Sequence, residues 1–149
     1  MQSVLLIGYG NPGRCDDGLG PLLAAALEAR RIPGLTVESD YQLTVEDADA
    51  VTRHDVVVFA DAAVTGDEPY CFSRVHPGGS PGFSSHSVEP SEVLALAETL
   101  FNTAPKAYVL SIRGYEFDEF REGLSERAGV NLSKAVAFLE RVIRTEAFV

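Results

Sequence analysis

The sequence predicts an α/β fold: a single three-layer αβα domain over residues 1–149, built on a mostly parallel, five-stranded twisted sheet. Three observations predict it. Segments of strand length alternate along the chain with stretches of helical periodicity, the order that yields parallel strands joined by crossover helices. The strongest strand segments are continuous apolar runs, as strands covered on both faces must be. The third is size: 149 residues, 46% of them hydrophobic, suffice for one full core without disulfides or a structural metal.

Ser3-Val4-Leu5-Leu6-Ile7-Gly8 is the first strand, an apolar run closed by glycine. A loop of Gly, Pro and Asp follows to Gly20. Residues 21–30 read as a helix, with Pro21 near its first turn, Leu22, Leu23 and Ala26 towards the core, and Arg30 and Arg31 near its end, where cations suit the helix dipole. Residues 35–40 form a second strand. Thr44 is placed to cap a short helix over 45–51, with Asp47 at its third position. Residues 55–61 are the clearest buried strand, rich in β-branched side chains and stopping at Asp61. Residues 71–76 alternate weakly and suit an edge strand, and 77–89 are a loop of Gly, Pro and Ser. A helix over 90–101 leads to the fifth strand, 106–112. The last element is a helix over 125–146 with Leu132, Val136, Leu139 and Ile143 on one face. Gly129 costs its first turns about 1 kcal/mol relative to Ala.

Charge and composition narrow the function. Twelve Lys and Arg face 22 Asp and Glu, a formal net charge of −10. That field repels phosphate backbones and anionic lipid, so neither nucleic acid nor a membrane is an expected partner, whereas a protein or a cation is. No stretch reaches the eighteen apolar residues of a membrane span. Met-Gln-Ser leads straight into a strand without a basic region or a small-residue cleavage site, so a secretory leader is not expected and the location is taken as cytoplasmic. Cys15 and Cys71 lack metal-type spacing and are expected to be reduced thiols, Cys71 as core packing. The default oligomeric state is a monomer.

Gly8-Tyr9-Gly10-Asn11-Pro12-Gly13 matches the dinucleotide fingerprint literally. In the true motif the last glycine already lies in the helix whose N-terminus holds the pyrophosphate. Here Arg14-Cys15-Asp16-Asp17-Gly18 intervenes, the helix cannot comfortably start before residues 18–21, and two carboxylates lie where a pyrophosphate would sit. Asp40 is placed like a ribose acid, but the chain is short for a dinucleotide domain plus a substrate domain. The same opening resembles peptidyl-tRNA hydrolases as far as Gly13; the histidine that family carries shortly downstream is absent.

The chemistry concentrates in three places: the loop Asn11-Pro12-x-Arg14-x-Asp16-Asp17-Gly18-x-Gly20, Asp61 closing an apolar strand, and His86 just before a helix. Asp17 follows the first strand and Asp61 ends the third, so both belong on the rim where open α/β sheets bind ligands. Two carboxylates and an imidazole suit a borderline divalent cation such as nickel or zinc. Each has a plainer reading: Asp17 as a turn or capping residue, Asp61 as a turn acid, His86 as a solvated loop histidine. His54 and His76 fit only the plainer one.

In this order the pattern resembles the hydrogenase maturation endopeptidases. The shared features are Gly-x-Gly-Asn…Asp-Asp-Gly-x-Gly, the strand ending in Asp61-Ala62, the His86 segment before a helix, and Gly123-Leu124-Ser125 before the last helix. The resemblance implies an endopeptidase that removes a C-terminal extension from the large-subunit precursor of a nickel–iron hydrogenase after nickel insertion. It places the family's metal contacts on Asp17, Asp61 and His86, which would sense nickel carried by the precursor, with water and not Ser or Cys as nucleophile. Asp16 competes with Asp17 for the first role, and Arg14 departs from the residue many members carry there. Two other readings use the same residues: a non-catalytic nickel-sensing or chaperone-like module, and a cysteine hydrolase with Cys15 as nucleophile and His86 as base. Against the last, Asp16 and Asp17 disfavour a thiolate beside them. Residues 115–126 interleave Tyr115, Phe117 and Phe120 with acids, and read either as a surface loop folding back on the core or as a docking surface.

Overall fold

A computed structural model describes residues 1–78 and 88–148. The strands are β1 (Val4–Tyr9), β2 (Leu35–Asp40), β3 (Val56–Ala63), β4 (Tyr70–Val75) and β5 (Lys106–Arg113). The helices are α1 (Leu19–Ala29), α2 (Asp47–Val51), α3 (Pro90–Phe101) and α4 (Glu126–Thr145). One five-stranded sheet has the order β2-β1-β3-β5-β4, parallel except for the β4–β5 pair.

Strand alternation sorts the core into two halves. Val4 and Leu6 of β1 and Val56, Val58 and Ala60 of β3 meet Leu19, Leu23 and Leu27 of α1 and Ala135, Val136, Leu139 and Ile143 of α4. Leu5, Ile7, Val57 and Phe59 turn the other way, onto Val51 of α2 and Val93, Leu94 and Ala97 of α3. Each fully buried Leu, Val or Phe contributes about 1.5–3 kcal/mol, so the continuous apolar runs of β1 and β3 stabilise both layers at once. On the edge strand, Phe72 stacks on Tyr108 with ring centroids 5.0 Å apart and Tyr70 lies against Phe138 at 4.8 Å. The chain leaves β1 for β2 on one side and returns to β3 on the other, which puts a topological switch point between β1 and β3.

Several expectations change. A 3-10 turn, Cys15–Gly18, runs straight into α1, so the helix starts at Leu19 with Pro21 inside its first turn, where no N–H is missed. Leu22 is exposed, because Leu19, Leu23 and Leu27 form the stripe that meets the sheet. The short helix begins at Asp47, not 45; Thr44 does not cap it with its side chain, and instead the Asp47 carboxylate accepts the Thr44 N–H at 2.8 Å. Strand β3 does not stop at Asp61: pairing of Asp61, Ala62 and Ala63 with Ser111, Ile112 and Arg113 carries it two residues further. Cys71 is exposed, not core, because Tyr70 and Phe72 on either side of it are the β4 residues that face α4.

Candidate functional site at the switch point

Two glycines bring the first loop onto the sheet. A Cβ on Gly20 would fall 2.4 Å from the Tyr9 carbonyl oxygen and 2.6 Å from that of Ala60, and one on Gly8 would fall 2.3 Å from the Gly20 carbonyl oxygen. No side chain fits either position, so the start of α1 lies directly against the C-terminal ends of β1 and β3. The close helix–strand contact that the dinucleotide fingerprint assigns to its last glycine is made here by Gly20 instead of Gly13. Residues 10–14 therefore loop across the switch point, and Gly10 and Pro12 lie directly on Asp17 and Gly18 at the entry to α1.

The adjacent aspartates separate. Asp16 is fully buried and accepts four hydrogen bonds: the backbone N–H groups of Tyr115 (2.7 Å), Glu116 (2.9 Å) and Ser125 (2.7 Å), and the Ser125 hydroxyl (2.7 Å). Burial pushes its carboxyl up, but these donors outweigh it and hold the group below the usual carboxylate range. Asp17, partly exposed, accepts the Asn11 N–H at 2.8 Å. Asp16 is thus occupied as a structural tie, and Asp17 is the member of the pair left partly exposed, with its charge felt at Asp61.

Asp61 sits on the same face of the sheet as Tyr9, the side of α2 and α3. Its carboxylate accepts the Ala62 N–H at 2.7 Å and a hydrogen bond from the Tyr9 hydroxyl. Burial, followed by the negative charges of Asp17 and Glu89, raises its pKa to about 6 despite both donors. Tyr9 in turn is pushed well above an ordinary phenol by burial and by Asp61 and Glu89. Glu89 is the N-cap of α3, locked by a reciprocal capping box with Glu92. Asp17 thus lies near enough for its charge to be felt at Asp61, and Tyr9 and Glu89, which sequence reasoning missed, flank the same carboxylate. Both left a signal: Tyr9 shares the parity of Leu5 and Ile7, and Glu-Pro-x-Glu is a capping signature. His86 lies outside the described residues. Among the described residues no three His, Cys, Asp or Glu side chains are grouped to hold a metal ion.

Other singled-out residues have structural partners. Cys15 is buried at φ 49°, its thiol 3.6 Å from the Glu119 carbonyl oxygen. Its N–H donates to the Arg121 carbonyl at 2.8 Å, a bond that offsets the unfavourable left-handed backbone. Arg14 donates to the Phe117 carbonyl at 3.2 Å and lies over the Phe120 ring at 5.3 Å. Nδ1 of His54 shares a 2.8 Å hydrogen bond with the Ser3 hydroxyl. Asp40 lines a groove with Gly10, Pro12, Pro21, Ser39 and Tyr41, between the ends of β1 and β2. No described helix is long and apolar enough to cross a membrane.

Comparison with solved structures decides the fold. A nickel–iron hydrogenase maturation protease, HycI of Thermococcus kodakarensis KOD1, superposes with a TM-score of 0.72 at 19% identity, over 96% of this chain and 93% of that one. The fold is that of the hydrogenase maturation proteases. The E. coli hydrogenase maturating endopeptidase HybD gives a TM-score of 0.71 at 19% identity, over 97% of this chain and 93% of its own. The hydrogenase 2 maturation peptidase of Thaumarchaeota archaeon SCGC_AB-539-E09 gives 0.70 at 19%, over 95% and 98%. No protein-family model matches the sequence, and no curated protein matches it by sequence. The maturation-protease fold thus spans nearly the whole chain, from the first loop to α4.

Proposed function

We propose that this chain is an endopeptidase of hydrogenase maturation, removing the C-terminal extension of a nickel–iron hydrogenase large-subunit precursor once nickel is in place. The observation that carries the reading is Asp61: a half-buried carboxylate with its pKa raised to about 6, beside Asp17 and Glu89 at the switch point of a maturation-protease fold. Uncompensated burial of acids costs stability, and such groups cluster where chemistry needs them. In this reading Asp17, Asp61 and His86 contact the nickel carried by the precursor, which is substrate cargo and not a resident cofactor. Carboxylate and imidazole donors suit that ion.

Hydrolysis adds a water oxygen to the scissile carbonyl carbon, passes a proton to a nearby base, and breaks the C–N bond as the departing amine takes a proton. The burial of Cys15 beneath the 115–124 loop supports water over the thiol as nucleophile. The test mixes the protein with matched precursor, with and without inserted nickel, and reads the precursor mass. Shortening at the C-terminus only in the nickel-loaded sample is the expected result. Docking without shortening would favour the nickel-sensing binding module.

A further inference from the structure

Phe120 is 84% exposed, and the loop that carries it is tied by hydrogen bonds on both sides of it. At one end of the loop, Tyr115 and Glu116 donate to the Asp16 carboxylate; at the other, Ser125 does so twice. In between, the Glu116 carbonyl accepts the Asp16 N–H at 2.9 Å and the Arg121 carbonyl accepts the Cys15 N–H at 2.8 Å. Arg14 holds the Phe117 carbonyl. Arg14 lies over the Phe120 ring at 5.3 Å, and the exposed acids Glu116, Asp118, Glu119 and Glu122 outnumber Arg14 and Arg121, the latter pairing with Glu116 at 3.5 Å and Glu119 at 3.4 Å. An aromatic on a fixed backbone loses little conformational freedom when it is buried by a partner, which is how a binding hot spot is preorganised.

We infer that the 115–124 loop is the docking element for the precursor, inserting Phe120 into an apolar pocket within a basic surface of that protein. This rests on the reading given above and names the surface it uses. Charge selects the occupant: an acidic ring around an aromatic complements a basic, not an acidic, surface. A second copy of this chain, at −10 and with the same acidic loop, meets itself with like charge. The loop is bonded to residues 14–16, and the Asp17 N–H in turn donates to the Arg14 carbonyl at 3.0 Å. A precursor seated on Phe120 is thereby held in a fixed relation to Asp17.

The experiment measures binding of nickel-loaded precursor to the full-length protein from about 50 to about 300 mM salt, a range over which exposed charges become screened. Phe120→Ala, at a solvent-exposed position, and the double variant Glu116→Lys/Glu119→Lys are compared with wild type, with circular dichroism confirming that each is folded. Phe120→Ala is expected to weaken binding at least tenfold, the loss appearing in KM more than in kcat. The charge reversal is expected to weaken binding and flatten its salt dependence. Wild-type affinity in both variants would overturn the docking assignment while leaving the cleavage reading standing. A wild type that binds through Phe120 but never shortens the precursor would overturn the protease reading and keep the docking assignment. No binding by wild type would overturn both.

Discussion

Asp61 shows how much one residue depends on its surroundings. In the sequence it is an acid after an apolar strand; in the fold it is partly buried, shares a face with Tyr9 and feels Asp17 and Glu89. A raised pKa means that the folded state binds the proton more tightly than the unfolded chain, so ionisation near neutrality works against folding. Asp61→Asn removes that charge while keeping the shape. It should lose precursor cleavage by about 100-fold or more and gain about 1–2 kcal/mol of stability at pH 7. Urea melts at pH 4.5 and pH 7 would check this, because the gain should shrink at the lower pH, where wild-type Asp61 is protonated. Equal gains at both pH values would mean that burial does not set the proton affinity of Asp61.

At the scale of elements, Asp16 joins the turn before α1 to the loop after β5 and to the N-cap of α4. Ser125 accepts the Ala128 N–H at 3.3 Å while giving its own hydroxyl proton to Asp16, so one carboxylate closes the loop and braces the cap. Asp16→Ala would leave three N–H donors and a hydroxyl without their acceptor, a loss of about 3–5 kcal/mol and a Tm drop of about 10 °C. Since its folded pKa is depressed, the stabilisation is present above the ordinary carboxylate pKa and is lost as pH falls through the folded value. Wild type should therefore lose stability on acidification more steeply than Asp16→Asn, as thermal melts across the acid range would show. Parallel slopes would mean that Asp16 is not a tie of this strength. The elements themselves were largely readable: β1, β2, β5, α3 and α4 lie where apolar runs, caps and periodicity place them. Strand β3 ran past its expected end because its length is set by β5 pairing, which local composition does not encode.

The whole molecule sets what can approach the rim. A sheet with strand order β2-β1-β3-β5-β4 has its switch point between β1 and β3, and Gly10 and Pro12 pack on Asp17 and Gly18 at the entry to α1, where a fingerprint helix would receive a pyrophosphate. Asp17 and Asp61 add negative charge there, on a chain of net charge −10. Titration with NAD is accordingly expected to give no saturable binding up to about 1 mM, followed by calorimetry. Saturation in the micromolar range would show that the groove beside Asp40 and Tyr41 is a nucleotide site after all.

The amino-acid sequence alone determined the α/β class and the order of strands and helices, because apolar periodicity is a local property. Only the tertiary structure decided which of two adjacent aspartates turns inward, that Tyr9 and Glu89 join Asp61, and that Cys15 is buried while Cys71 is exposed. Those outcomes depend on which distant backbone donors and neighbouring strands each side chain meets. For Asp16 the deciding partners lie about a hundred residues away, at Tyr115, Glu116 and Ser125.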